Sequence, residues 1–210
     1  MRSRALVLMT VALAPGAPAR AVDPCCASSS SKEAETGDSA RSVDAVLPAL
    51  TLDATSGERY ALRTAVTRAR FTVFVFFSAQ CPCVTAHDER LTHLAQVYGP
   101  SDVQFLLVDS EVGDALARDK AEAARRHYPF PILADPGGQL ARAFAVRFAT
   151  STVVVDEQGR IRYRGGIDSE KRQVTPAGRF YLQEALTALL AGKTPELTET
   201  KPLGCYLRMS

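Results

Sequence analysis

The sequence predicts a mixed α/β fold, with helices on both faces of a central sheet. Segments with strand-like and helix-like patterns alternate from residue 71 onward, which favours parallel strands joined by right-handed helical crossovers. The run Phe71–Phe77 consists only of aromatic and β-branched residues, as in a strand buried on both faces. A hairpin pattern and a last helical pattern end the alternation, and no internal repeat is found.

The N-terminal part of this fold is predicted to be a β-hairpin over residues 43–62. Leu50 and Leu52 precede the turn residues 55–57, and a second extended segment follows at 59–62. A short helical turn over 64–68 then leads into the buried strand.

The most informative stretch follows that strand. Ser78 begins a three-residue connector that leads to Cys81-Pro82-Cys83, and a helix is predicted from Pro82 to Tyr98 because Gly99-Pro100 is a stop signal. Pro82 suits the first helical turn, where the missing N–H costs nothing. Unpaired N–H groups and the helix dipole at that end favour a thiolate over a thiol. This arrangement predicts that Cys81 is a redox nucleophile.

The remaining elements follow in chain order. The patterns predict strands at 103–109, 132–134, 152–155 and 161–165 and helices at 114–128, 139–144 and 180–191. The acidic and basic residues of the helix at 114–128 are interpreted as a solvated face. Residues after Gly192 are polar and contain two prolines, so a mobile tail carrying Cys205 is predicted.

The first residues predict export. A short basic start precedes the apolar run Ala5–Ala14, and Ala19-Arg20-Ala21 offers a cleavage site, as in a signal peptide over residues 1–21. The apolar run is too short to span a bilayer, and no other segment is long and apolar enough to do so. Residues 22–42 are Ser-rich and predict a flexible linker. We therefore expect a periplasmic or secreted protein.

The net charge and the cysteine content narrow the range of possible functions. The whole chain has a formal charge of +2, and removing residues 1–21, which hold three of the 25 bases and no acid, leaves 22 bases against 23 acids. Without a basic cluster, nucleic acid is not an expected partner. Outside the cytoplasm the five cysteines can form disulfides, and the odd number leaves at least one for another role. Cys25 and Cys26 could be an idle thiol pair, shuttle thiols or a metal-binding tail.

From these residues the chain resembles thioredoxin-fold proteins of the redoxin family, of the alkyl hydroperoxide reductase and thiol-specific antioxidant type. The resemblance covers residues 43–191 and rests on 47–52, the strand into Cys81, 152–159 and 163–168. It is strongest to peroxiredoxin-like proteins with a Cys-Pro-x-Val-x-Ala-His run, here 81–87, and a C-terminal Lys-Pro-x-Gly-Cys, here 201–205. This resemblance implies one thioredoxin-like domain followed by a C-terminal segment, residues 192–210.

Three positions depart from the pattern of the relatives. Val84 stands where thioredoxins have their second cysteine. Ser78 matches the Thr or Ser three residues before a peroxidatic cysteine, but Phe74 stands where the relatives have proline. Thr150 stands near the place of the thioredoxin cis-proline and the peroxiredoxin arginine.

The resemblance and the residues together predict an exported thiol-dependent oxidoreductase. Cys81 would attack a protein disulfide or a peroxide, Cys205 or Cys83 would resolve the intermediate, and a thiol reductant would restore the enzyme. No organic cofactor is implied, since the cysteines carry the electrons. If Cys81 and Cys83 are both helical, their side chains diverge by about 200° and a direct disulfide needs distortion. The sequence therefore favours Cys205 as the resolving thiol.

Two other functional classes stay open. His87 lies one turn after Cys83, so Cys81, Cys83 and His87 could instead hold Cu(I), as in a copper-delivery protein with a redoxin fold. His87 is otherwise a half-buried core residue. A non-catalytic interaction domain is the third possibility, and it predicts neither thiol turnover nor metal uptake.

Overall fold

The computed structural model describes residues 47–113 and 115–209. The strands are β1 (Thr51–Ala54), β2 (Arg59–Ala61), β3 (Phe71–Phe77), β4 (Val103–Asp109), β5 (Ile132–Ala134), β6 (Thr152–Asp156) and β7 (Ile161–Gly165). The helices are α1 (Leu62–Ala65), α2 (Pro82–Tyr98), α3 (Ala115–Arg125), α4 (Gln139–Ala143) and α5 (Tyr181–Leu190), with 3-10 turns at Val66–Arg68 and Gly99–Ser101.

One mixed sheet organises these elements. Its strand order is β2-β1-β5-β4-β3-β6-β7, with a parallel centre of β5, β4 and β3 and antiparallel pairs elsewhere. The register pairs Phe77 of β3 with Asp109 of β4, so both strands end at the same edge. The connectors that follow them therefore lie side by side, where α/β proteins place their functional sites.

The central strand is buried on both faces, as its composition predicts. Phe74 and Phe76 pack on the ring of Phe144 just after α4, at 5.7 and 6.4 Å between centroids. Phe77 points to the opposite face and packs on Tyr128 at 6.2 Å. All seven residues of β3 are buried, so no polar face is needed.

The predicted thioredoxin-like fold is confirmed, with small differences in element bounds. The helix predicted over 114–128 ends at Arg125, because His127 adopts a left-handed φ of 53° and Pro129 follows. The hairpin is present over the described residues from Thr51 to Ala61, while 43–46 lie outside them. The predicted signal peptide and the linker with Cys25 and Cys26 also lie outside the described residues. No described helix is long and apolar enough to cross a membrane.

The C-terminal segment differs from the prediction of a mobile tail. Thr200 N donates to Arg164 O at 3.0 Å, and Arg164 N donates to Thr198 O at 2.9 Å, so the segment pairs with β7. Further on, residues 204–208, which we call the strap, pair with the loop before β6. Cys205 and Leu207 are buried there. Backbone hydrogen bonds and the burial of these two side chains hold the segment in place. The polar composition of the segment indicates neither of them.

Candidate active site

Three cysteines meet at the edge where β3 ends. The sulfur atoms of Cys81, Cys83 and Cys205 lie within 4.8 Å of one another. Their residues are 1%, 0% and 7% exposed. Cys81 and Cys83 come from the start of α2 and Cys205 from the strap, so two chain segments 122 residues apart (205 minus 83) build the cluster.

The backbone of Cys81 explains why its side chain reaches Cys83. Cys81 is the N-cap of α2 and is extended, with φ −82° and ψ 115°, while Pro82 occupies the first helical position. The divergence of about 200° expected for two helical residues therefore does not apply. Cys81 N donates to Ser78 O at 3.1 Å, and Cys81 O accepts the bond from Thr85 N at 3.2 Å. These bonds hold Cys81 at the helix N-terminus.

The strap is pressed against the loop that precedes β6. Phe148 and Tyr206 form an antiparallel bridge with ring centroids 4.4 Å apart, and Ala149 N donates to Cys205 O at 2.9 Å. A Cβ atom at Gly204 would lie 1.8 Å from Ala149 O, far inside van der Waals contact. The strap can come this close only because residue 204 is glycine.

Thr150 lies beside the strap in an uncommon conformation. Its φ is 70°, and its N–H donates to Phe76 O at 2.8 Å, which fixes the loop against β3. Among the described residues no peptide bond is cis, so the site lacks the cis bond of the thioredoxin loop. The Thr150 hydroxyl is buried without a hydrogen-bond partner among the described atoms. A Cβ atom on Gly204 would lie 2.8 Å from it, which places this hydroxyl against the strap.

Ser78 links the connector to a buried carboxylate that the sequence did not single out. Its hydroxyl donates to Glu111 Oε2 at 3.0 Å, and Glu111 is the second residue after β4. The Arg208 guanidinium contacts the same carboxylate at 3.4 Å, and Val112 N donates to Arg208 O at 2.8 Å. Glu111 therefore ties the Cys81 connector to the end of the strap.

His87 is a structural residue of α2. Its Nδ1 lies 2.7 Å from Cys83 O and its Nε2 lies 3.0 Å from Asp168 Oδ1. Both partners are acceptors, so both bonds form when the ring carries hydrogen on both nitrogens. Neither nitrogen is directed at the three sulfurs, so the predicted set of Cys81, Cys83 and His87 is not assembled. Cys205 takes the third place in the cluster.

Asp168 anchors this histidine. Its buried carboxylate also accepts hydrogen bonds from Arg90 and from Glu170 N, the latter at 2.7 Å. Burial by itself raises the pKa of Asp168, but the hydrogen bond and charge of His87, together with the other donors, outweigh it and hold the pKa below its usual value. The result is an ion-paired network that fixes the first turns of α2.

Arg126 does not lie on a solvated helix face, which corrects the interpretation of the charged residues at 114–128. Its side chain is 3% exposed. It donates to Ala79 O at 3.0 Å, to Asp88 Oδ2 at 2.8 Å and to Thr85 Oγ1 at 3.2 Å. Arg126 therefore tethers the Cys81 connector to α2. Neighbouring Arg125 does match the prediction, as it pairs with Glu122 at the surface.

A buried acidic residue of α3 also departs from the solvated-face interpretation. Asp119 is fully buried, and neither of its carboxylate oxygens has a hydrogen-bond partner among the described atoms. Arg118 Nε approaches Asp119 at 3.5 Å but forms its short ion pair with Asp109. Burial, together with the nearby Asp109 carboxylate, raises the pKa of Asp119 to about 8.

Comparisons with known proteins agree with this architecture. The redoxin family model matches residues 41–178. An uncharacterized conserved protein from Geobacillus kaustophilus has 25% identity and a TM-score of 0.74, over 81% of this chain and 93% of that one. A hypothetical protein from Sinorhizobium meliloti has 22% identity and a TM-score of 0.70, over 79% and 93%. A mutant of PrxQ from Xylella fastidiosa has 19% identity and a TM-score of 0.53, over 70% and 91%. No curated protein sequence matches the chain.

Proposed function

Because the chain belongs to the redoxin family, we propose that it is a thiol-dependent oxidoreductase whose attacking thiol is Cys81. The observation that carries the proposal is the cluster of Cys81, Cys83 and Cys205, with sulfur atoms within 4.8 Å of one another. A redox cycle based on a disulfide needs an attacking thiol and a second thiol close enough to bond to it. This cluster supplies both without a large rearrangement.

Cys81 is favoured as the attacking thiol by its position. It caps a helix of 17 residues, where the unpaired N–H groups and the helix dipole stabilise a negative sulfur. Cys83 lies inside the first turn and is fully buried, and its peptide carbonyl is bonded to His87. Cys205 belongs to the strap and does not cap that helix.

The chemistry with a peroxide proceeds in two balanced steps. The Cys81 thiolate attacks one peroxide oxygen, the O–O bond breaks, and an alcohol or water leaves after taking up a proton, which leaves a sulfenic acid. A second cysteine then attacks the Cys81 sulfur, so a disulfide forms and water leaves. An external thiol reductant supplies two electrons and two protons to restore both thiols.

With a disulfide substrate, Cys81 attacks one sulfur and displaces the other, which forms a mixed disulfide. The second cysteine then displaces the reduced substrate. The burial of Cys81, with 1% exposure, favours the small peroxide, because a protein disulfide needs an open approach to the sulfur. Displacement of the strap would open that approach.

We assign the resolving role to Cys205. A Cys81–Cys83 bond closes a small ring across Pro82 at the start of a helix, and its strain opposes formation. Cys205 belongs to a separate segment, so its bond to Cys81 leaves the helix start unchanged. The strap already holds Cys205 in place, so the mobile tail that the sequence predicted is not needed.

Export is the second part of the proposal, and its support is the N-terminal pattern of a signal peptide. The mature protein is expected to begin near residue 22 and to work in the periplasm or outside the cell. Intact-mass measurement of the native protein should show the loss of about 20 residues, the usual length of such a signal. Recovery of the full-length chain from the cytoplasm would exclude this assignment.

The test of the thiol chemistry is a Cys81→Ser variant. Peroxide consumption and insulin-type disulfide reduction are both measured, with dithiothreitol as reductant. We expect the variant to lose whichever activity the wild type shows, with an unchanged circular dichroism spectrum. The matched control replaces Cys25 and Cys26 with serine and should keep that activity. Turnover that persists in Cys81→Ser would overturn the assignment.

A further inference from the structure

We propose that Cys81, Cys83 and Cys205 together form a three-thiolate binding site for Cu(I). This site is distinct from thiol turnover, because it requires all three cysteines reduced at the same time. Its ligand set also differs from the cysteine and histidine set that the sequence suggested.

The spacing of the sulfurs fits a single bound ion. A metal–sulfur bond of about 2.3 Å places three sulfurs about 4 Å apart around a central ion. The three sulfurs of the cluster are already within 4.8 Å of one another, so a contraction of less than about 1 Å completes the site. They are held by a helix start and a strap with defined backbone bonds, so the site is largely preformed.

The chemistry of the donors selects the metal. Three thiolates are soft ligands, which favour Cu(I) over hard ions such as magnesium or calcium. Zinc prefers four ligands in a tetrahedron, so it needs a fourth donor or a water. The nearest imidazole, His87, has both nitrogens engaged elsewhere, and the three cysteines are buried away from solvent. The site therefore favours an ion that accepts three ligands.

The charge is also accommodated. Binding of one Cu(I) to three thiols releases three protons and leaves a net charge of −2 at the cluster. The N-terminus of α2, which Cys81 caps, partly offsets this charge. Oxidation of any two of the thiols to a disulfide by a peroxide, which takes up the two electrons and two protons, removes two ligands and releases the ion. Cu(I) loading and the disulfide form therefore exclude each other.

The strap makes the proposal testable without removing a sulfur. A methyl group at Gly204 would collide with the backbone oxygen of Ala149, so Gly204→Ala must displace the strap and Cys205 with it. Gly99 provides a matched control, because a Cβ atom there meets nothing within 4 Å and its φ is −53°. Gly99→Ala therefore keeps the cluster as it is.

The experiment titrates the reduced full-length protein with Cu(I) under anaerobic conditions, in competition with the colorimetric chelator bathocuproine disulfonate. All variants carry Cys25→Ser and Cys26→Ser, so that these two thiols cannot bind the ion. We expect one Cu(I) per chain and a loss of affinity of at least about 100-fold when any one of the three cysteines is replaced by serine. Mutating a residue that only hydrogen-bonds to a metal ligand already lowers metal affinity by about 10–100-fold. Gly204→Ala should weaken binding at least about 10-fold, and Gly99→Ala should not.

Several results would overturn the proposal. One is an unchanged affinity in Cys205→Ser or in Gly204→Ala. Another is an X-ray absorption spectrum in which the copper has a nitrogen neighbour or fewer than three sulfurs. Displacement of Cu(I) by an equal concentration of Zn(II) would also overturn it. These readouts do not depend on turnover, so the copper site and the oxidoreductase assignment can fail separately.

Discussion

Replacing Asp168 with asparagine should destabilise the protein strongly, because Asp168 balances the charges of a buried network. The side chains of His87 and Asp168 are 1% and 0% exposed, and Arg90 contacts the same carboxylate. Removing one partner of a buried ion pair costs about 3–5 kcal/mol. Asparagine keeps one acceptor oxygen, so we expect the lower end, about 3 kcal/mol, and a melting temperature lower by roughly 10 °C for a domain of this size.

The pH dependence of this loss follows from the direction of the pKa shift. The pKa of Asp168 is lower in the folded protein than its usual value, which is about 3.9 in an unfolded chain. The stabilisation is therefore fully present above that usual value and disappears as the pH falls through the lower folded value. The stability difference between wild type and Asp168→Asn should therefore shrink as the pH falls below about 4.

Urea unfolding followed by circular dichroism measures both quantities. The matched control is Asp53→Asn, which breaks the 3.0 Å pair with Arg59 between side chains that are 58% and 73% exposed. Exposed pairs of this kind contribute less than about 1 kcal/mol. A loss in Asp168→Asn no larger than in this control, or one that does not diminish in acid, would show that Asp168 does not balance buried charges.

Two other substitutions test the buried charges of α3 and of the residue that follows it. Asp119→Asn should raise the free energy of unfolding by about 2 kcal/mol at pH 8 and leave it unchanged near pH 4. Burial and Asp109 raise the pKa of Asp119 to about 8, so ionisation of this carboxyl group between these pH values opposes folding. Equal stability of the variant and the wild type at pH 8 would contradict this. Arg126→Gln should lower the free energy of unfolding by about 2 kcal/mol, because it removes the hydrogen bonds of a charged group to Asp88 and to the Cys81 connector. The side chain of Arg125 is 60% exposed, so Arg125→Gln should lower it by less than about 0.5 kcal/mol in the same urea titration. Equal losses for the two arginines would show that Arg126 is not a tether.

The sequence predicted the elements whose signals lie within one contiguous stretch. The bounds of β3 and α2 match the prediction at both ends, because an apolar run and a Gly-Pro stop are local features. The position of Cys81 at the start of a helix was predictable for the same reason. The predicted α/β architecture followed from the alternation of such stretches.

What the sequence did not reveal depends on residues far apart in the chain. His87 meets Asp168 across 81 positions, and Arg126 meets Ala79 across 47. The strap pairs with the loop before β6, although its composition is that of a mobile tail. The direction of the Cys81 side chain depended on one backbone angle, the extended ψ of 115° at the helix cap. Composition and periodicity report none of these contacts.

The thiol chemistry is tested by mapping the disulfide that forms when the reduced protein reacts with one equivalent of hydrogen peroxide. Trypsin should release residues 71–90, which contain Cys81 and Cys83, joined to residues 194–208, which contain Cys205. The link should persist in Cys83→Ser and disappear in Cys81→Ser. If peptide 194–208 is instead recovered as a thiol while peptide 71–90 has lost two hydrogens, Cys83 is the resolving thiol. If neither bond forms, Cys81 does not complete a disulfide cycle, and its assignment as the attacking thiol is wrong.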